Sequence, residues 1–345
     1  MASESNVRPP FQKGRWLPIV AMLVLITILG AYTNSKDSQF LSTFNLNGLM
    51  NLTLPLALAA MAQTSALMVK AFDVSLGALI TLCVVVASFV LGPGESWPSL
   101  LLGMLFVIVI ALGVGAVNVI LIRWLKLSSI IATLATYSAL QGVCLWLRPT
   151  AKGSSSSKLV DTLLYRWGFM PVSLIVITVI AIAADIWLYR TRGGLAARAM
   201  GLDEEAASRR GVRVGYLFVR AFFISAFAAA LSGFFLFANV QVGDPTSGLS
   251  FTLDSIAAAV LGGASLLGGR GSFTGAVVGA LFLKTIITIL PFLGWSNSYG
   301  RIMTGVLTLV ALTFYQAPEL SARAKAALSN LRLSRGRTGA LADEV

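Results

Sequence analysis

The chain contains no histidine, and its two cysteines, Cys83 and Cys144, stand alone inside apolar runs. The first absence removes the side chain that titrates near neutrality and the commonest zinc ligand. The second removes any disulfide framework, so neither a metal site nor a cross-linked scaffold is expected. Acidic residues are scarce as well: 14 Asp and Glu stand against 26 Lys and Arg, and charged residues make up only 12% of the chain. The few carboxylates fall mostly in capping or loop positions with no nucleophile motif beside them, so there is no catalytic constellation and no enzyme is expected. A charged fraction about half the usual ~25% also excludes an ordinary soluble fold.

What fills the 345 residues instead is apolar sequence, 57% of the whole, in repeated runs of about 18 residues or more. This predicts an all-α, polytopic membrane protein with about ten transmembrane or re-entrant helices. The expected spans are Trp16–Tyr32, Leu46–Val69, Val74–Leu91, Leu100–Leu125, Ile130–Leu147, Met170–Leu188, Leu217–Val240, Leu253–Leu267, Phe273–Leu293 and Ile302–Tyr315. Two of these invite a broken or re-entrant reading, Leu46–Val69 because Pro55 interrupts it and Leu253–Leu267 because it is short for a bilayer. Arg8, Lys13 and Arg15 precede the first run as in a signal peptide, but no small-residue cleavage site follows Tyr32, which predicts a retained first helix. The expected domains are a cytoplasmic segment 1–15, a transmembrane unit 16–315 with a polar cytoplasmic loop 190–216, and a basic tail 316–345.

Charge orients the spans. With the N-terminus inside, nineteen of the Lys and Arg fall on the cytoplasmic side, among them Lys70, Arg123, Lys126, Arg270 and the group from Arg190 to Arg220. Six fall outside (Lys36, Arg148, Lys152, Lys158, Arg166 and Arg301), and Lys284 is left in mid-membrane. That bias predicts both termini in the cytoplasm, and an even number of spans agrees. The net charge of +12 is then explained by topology and anionic membrane lipid, without nucleic acid.

The long polar stretch from Arg190 to Arg213 spells one short helix: Asp203 as N-cap, Glu204 and Glu205 in the first turn, Arg209 and Arg210 in the last, and Gly211 in the left-handed position beyond it. Two turns are marginal alone, so the helix either docks on something or is a solvated loop element.

Glu205-Ala206-Ala207 followed by Gly211 resembles the EAA loop of ABC importer permeases. The segment DSIAAAVLGGASLLGGRGS, Asp254 to Ser272, is similar to the signature of the ribose/xylose/arabinose-type permease subunits of bacterial ABC sugar importers. Weaker matches are Asp73-Val74-Ser75-Leu76-Gly77, Asn118 and Ile131-Ala132-Thr133-Leu134. The chain departs from that pattern at Lys70-Ala71-Phe72, where the family has Gly-Gly-Ile before the Asp, and at Ser128 or Ser129, where it has a proline. The resemblance implies a multi-pass protein of the bacterial inner membrane that imports a carbohydrate, sugar or polyol. It also implies a second permease subunit, two ABC ATPase subunits that bind the ATP and Mg, and a periplasmic solute-binding protein, with no cofactor in this chain. Asp203, Glu204, Glu205, Ala206, Ala207, Arg210 and Gly211 would then couple to the ATPase.

In the glycine-rich segment, Gly263 and Gly268 have phosphate-loop spacing, but Gly269 and Arg270 stand where that motif needs Lys then Ser or Thr. Gly262, Gly263, Gly268, Gly269 and Gly271 read better as a cytoplasm-facing turn of close helix approach, continued by Gly275 and Gly279 at small-xxx-small spacing. Plain packing and a gate or ATPase contact both fit. Intramembrane polar residues point to a pathway, here Gln63, Asn118, Thr133, Thr136, Tyr137, Gln141 and Asp254, although each also suits an interhelical hydrogen bond. Thr133, Thr136, Tyr137 and Gln141 share one helix face, the expected pore lining. An ion-coupled carrier using Asp73 or Lys284 is the alternative.

Overall fold

The structure is a computed structural model and describes residues 16–296, 298–307, 309, 310 and 313. The expected segment 1–15, the tail 316–345 and part of the span Ile302–Tyr315 lie outside the described residues. Twelve helices carry labels here: α1 Leu17–Lys36, α2 Thr43–Met68, α3 Leu76–Val90, α4 Trp97–Val119, α5 Ser129–Leu147, α6 Ser157–Leu163, α7 Val172–Arg190, α8 Arg192–Leu202, α9 Glu204–Arg209, α10 Val214–Val240, α11 Phe251–Leu261 and α12 Phe273–Phe292. Seven of them, α1, α2, α4, α5, α7, α10 and α12, are long and apolar enough to cross a membrane. Residues 298–307 are also helical. The described residues are mostly helical, with one hairpin of two-residue strands, Arg166–Trp167 against Met170–Pro171, that the hydropathy pattern does not indicate.

The helices sort by burial. α2, α10 and α12 have 61 to 72% of their apolar windows buried, against 17 to 28% for α1, α4, α5 and α7. The outer four present large apolar side chains outward, for example Leu101, Leu102, Leu105 and Phe106 of α4, as a lipid-facing surface does. Contact in the centre is made by small residues, as expected where lipid and protein are equally apolar and close packing must hold the helices together. A Cβ on Gly233 of α10 would stand 2.5 Å from Cys83 of α3, and one on Gly115 of α4 would stand 2.9 Å from Ala226 of α10.

Two expected spans differ from the structure in opposite ways. The break expected at Pro55 does not occur, and α2 runs unbroken for 26 residues. Proline removes the donor that would bond the carbonyl four residues back. That carbonyl, on Asn51, accepts instead from Asn239 Nδ2 at 3.2 Å, while Ser232 Oγ donates to the Pro55 carbonyl at 2.7 Å. Both donors come from α10. The span expected as Val74–Leu91 is a 15-residue helix, buried over most of its length, with Asp73 and Ser75 building its start. The short span at Leu253–Leu267 is shorter still, the 11-residue α11.

Basic residues gather at one end of the bundle. Lys70, Arg123, Arg198 and Arg270 lie around the ends of α2, α4, α7 and α11 and the start of α12. At the other end, Arg148 donates to Ser88 at the end of α3, and Lys152 bridges to Gly243 beyond α10.

Candidate functional site

The polar stretch is two helices, not the one expected, because Asp203 breaks helical geometry in an extended conformation between α8 and α9. Its carboxylate accepts from Ala206 N at 2.9 Å, and Gly211 lies at φ +81°, so the capping expected for the second helix is present. Arg210 is the C-cap rather than part of the last turn. α9 docks on its own chain: Ala207 is buried in a cluster with Val69, Val119, Met200, Leu217 and Phe218. Glu204 accepts from Arg123 Nη1 at 2.6 Å, and that guanidinium also lies over the Phe218 ring. α4 closes in a π-helical turn, Ile120–Trp124, which carries Arg123. Asp203, Glu205, Ala206, Ser208, Arg209 and Arg210 face outward, with Glu205 and Arg209 paired at 2.6 Å on that surface. A helix with one side chain sunk and the rest of its polar face open is a built projection.

Behind α9 lies the glycine turn. Gly263, Gly268 and Gly269 have φ of +96°, +87° and +71°, values open to glycine at little cost. Gly269 N donates to Met68 O at the end of α2, and a Cβ there would stand 2.5 Å from Leu202 of α8 and 2.8 Å from the Arg198 carbonyl. Gly262 packs on Gly275, Gly279 on Ala258, and Gly201 of α8 on Met68 and Gly269, all backbone to backbone. The amides of Gly263, Ala264, Gly268 and Gly269 donate to carbonyls of the chain, so the loop offers no phosphate cradle.

One residue here was passed over in the sequence. Asp185, buried in α7, accepts from Ser272 Oγ at 2.6 Å, Phe273 N at 2.8 Å and Thr274 N at 3.2 Å, and so caps α12 from another helix. A lone carboxylate inside an apolar run was the available signal. Tyr189, one turn on, donates to Gly271 O at 2.8 Å, and Arg198 of α8 lies over its ring. α7, α8, the glycine turn and α12 are thereby tied together.

The interior polar residues fall into two groups. Asn118, Thr133 and Thr136 are buried and bonded between helices: Thr136 Oγ1 donates to Asn118 Oδ1 at 2.7 Å, Asn118 Nδ2 to Ser75 Oγ at 2.9 Å, and Val74 N to Thr133 Oγ1 at 3.1 Å. Ser75 Oγ and Ser225 Oγ in turn donate to Asp73. The shared face of α5 therefore points its first two residues into packing and its last two, Tyr137 and Gln141, to a half-buried surface. Gln141 Nε2 donates to Pro245 O at 3.1 Å.

Pro245 belongs to a segment that runs inward along α3: Gly243 touches Ser88, and Gly248 N donates to Thr81 Oγ1 and packs on Gly77. From Ser88 to Gly77 is about 16 Å of helix, half of a ~30 Å hydrocarbon core. α11 consequently begins near mid-membrane. Asp254 sits in its first turn, half-exposed beside the exposed Leu253. Lys284 of α12, at the same depth by its distance from Phe273, has its Nζ 5.4 Å from the Phe251 ring centre. Gln63 of α2 is fully buried, and neither of its amide atoms is hydrogen-bonded among the described residues.

Comparison with known proteins gives the family. Residues 45–312 match the model of the branched-chain amino acid transport system / permease component. The chain belongs to this family. The permease is 30% identical over 318 residues to the Autoinducer 2 import system permease protein LsrC of Escherichia coli (strain K12 / DH10B), covering 88% of this chain and 87% of that one. It is 28% identical over 317 residues to the Ribose import permease protein RbsC of Haemophilus influenzae, covering 89% and 96%. It is 30% identical over 298 residues to the LsrC of Salmonella paratyphi B, covering 83% of each. No solved structure matches. The likeness to ABC importer permeases drawn from the EAA-like loop and the Asp254–Ser272 segment holds at the level of family: this is a multi-pass transport permease and not an enzyme.

Proposed function

We propose that the permease is the membrane-spanning subunit of an ATP-driven ABC importer for a sugar, polyol or sugar-like solute. The basic face is cytoplasmic, as the positive bias requires. α9 presents Asp203, Glu205 and Arg210 to an ABC ATPase that holds the ATP and Mg. A periplasmic binding protein delivers solute to the opposite face, and a second permease subunit completes the route in the inner membrane. The observation that carries the reading is the docked α9 with an open polar face, joined through α8 to the glycine turn and, by Asp185, to α12. The relatives named for ribose and autoinducer 2 import support the solute class.

Within the membrane, Gln141, Asp254 and Gln63 are the polar groups of the route. Asp254, at the depth of Lys284, supplies acceptors for solute hydroxyls, and the start of α11 opposite Gln141 narrows the path. Asn118, Thr133 and Thr136 hold the helices that frame it. Reconstitution with the cognate ATPase and binding protein tests the whole. Uptake that requires ATP and survives collapse of ion gradients is expected, and uptake that persists without ATP but vanishes with an ion gradient would make the protein a secondary carrier.

A further inference from the structure

A cavity opens between α7 and α10, with a volume of about 740 Å³. Its walls run from Val172 to Trp187 on α7 and from Arg220 to Phe235 on α10, and Leu58 and Met61 of α2 form the floor. Fifteen residues of helix on each wall make it about 22 Å long, more than the ~15 Å hydrocarbon depth of one leaflet.

Charge is confined to its two ends. Arg220, exposed, lies with its guanidinium carbon 4.6 Å from the Trp187 ring centre at the basic end, the pairing of aromatic and cation that marks a membrane interface. Tyr216, one turn earlier on α10, and Arg213, just before the helix begins, are also exposed. Asp161 stands at the far end. A negative headgroup is thus attracted to the Arg220 end and repelled from the other.

We propose that this groove is a binding site for one anionic phospholipid, its acyl chain lying between α7 and α10 and its phosphate against Arg220. The apolar walls take the chain as they would take any lipid tail. The guanidinium supplies charge-assisted hydrogen bonds to the phosphate, which select the headgroup class. The site stands independently of the transport reading, since binding is measured without uptake.

Purified permease from membranes containing phosphatidylglycerol and phosphatidylethanolamine is examined by native mass spectrometry after detergent exchange. Wild type retains one phosphatidylglycerol, and so does Leu102→Trp, a control on the lipid-facing side of α4. Ala184→Trp fills the groove and loses the lipid. Arg220→Gln, an exposed substitution that keeps the fold if the tryptophan does not, lowers the ratio of phosphatidylglycerol to phosphatidylethanolamine retained by roughly tenfold. Equal retention by wild type and Ala184→Trp, no preference for the anionic lipid, or cross-linking of Ala184→Cys to a second copy of the chain would each overturn the proposal.

Discussion

Replacing Asp185 tests the link between α7 and the glycine turn. Its carboxylate accepts three hydrogen bonds, from Ser272 Oγ, Phe273 N and Thr274 N. The two amides belong to the first turn of α12, where no intrahelical acceptor exists. Asp185→Ala strands all three donors in a buried place, at about 1–3 kcal/mol for each unsatisfied group before relaxation. The losses share one site and are not additive, so roughly 3–5 kcal/mol is expected, the range for breaking one side of a buried charged network. Asp185→Asn keeps the shape and one acceptor oxygen and gives up the charge, costing about 1.5–3 kcal/mol. Ser272→Ala costs less, and in the double variant the two losses overlap because they share a bond. The assay is thermal unfolding of the purified permease in one detergent, with Tm falling in the order Ala, then Asn, then the serine variant. At about 2–4 °C per kcal/mol, the asparagine variant loses several degrees, and a shift under about 1 °C would refute the capping argument.

Asn239→Leu leaves the Asn51 carbonyl without its donor and should cost about 1–3 kcal/mol; the loss should shrink in a Pro55→Ala background, where residue 55 regains its own amide, and an undiminished loss there would disprove the bridging role. Gly269→Leu puts a side chain against Leu202 and the Arg198 carbonyl at a positive φ, so transport should be abolished at a cost of about 1–3 kcal/mol or more, and normal uptake would reduce the turn to an ordinary loop. Ala207→Pro removes the bond from Ala207 N to Asp203 O, 3.1 Å long, for roughly 3 kcal/mol locally; insertion should persist while ATPase co-purification falls, and full solute-stimulated hydrolysis would reject the coupling role of α9. Glu205→Lys, on the open face, breaks the pair with Arg209 and should weaken coupling less, at a stability cost of under about 1 kcal/mol.

Composition and local pattern settled the class of this protein. Hydropathy located the long apolar helices, the Lys and Arg bias separated the two ends of the bundle, and the run from Asp203 to Gly211 spelled its own caps, because capping acts between residues a few positions apart. Two short motifs were enough to identify the family. Asp203 marks the break between α8 and α9, but α8 itself is not legible in the sequence, because the apolar face that fixes it is visible only once Met200 and Ala197 pack with Val69, Leu217 and Phe218. The behaviour of Pro55 depended on Asn239, 188 residues from the carbonyl it serves, and that of Asp185 on amides 88 and 89 residues away. Pairings of this range leave no periodic trace. Burial was equally hidden, since the least apolar span, α2, is central while the most apolar, α4, is peripheral. In a bilayer both surroundings are apolar, so hydropathy marks what crosses, and only the packed structure decides what is inside.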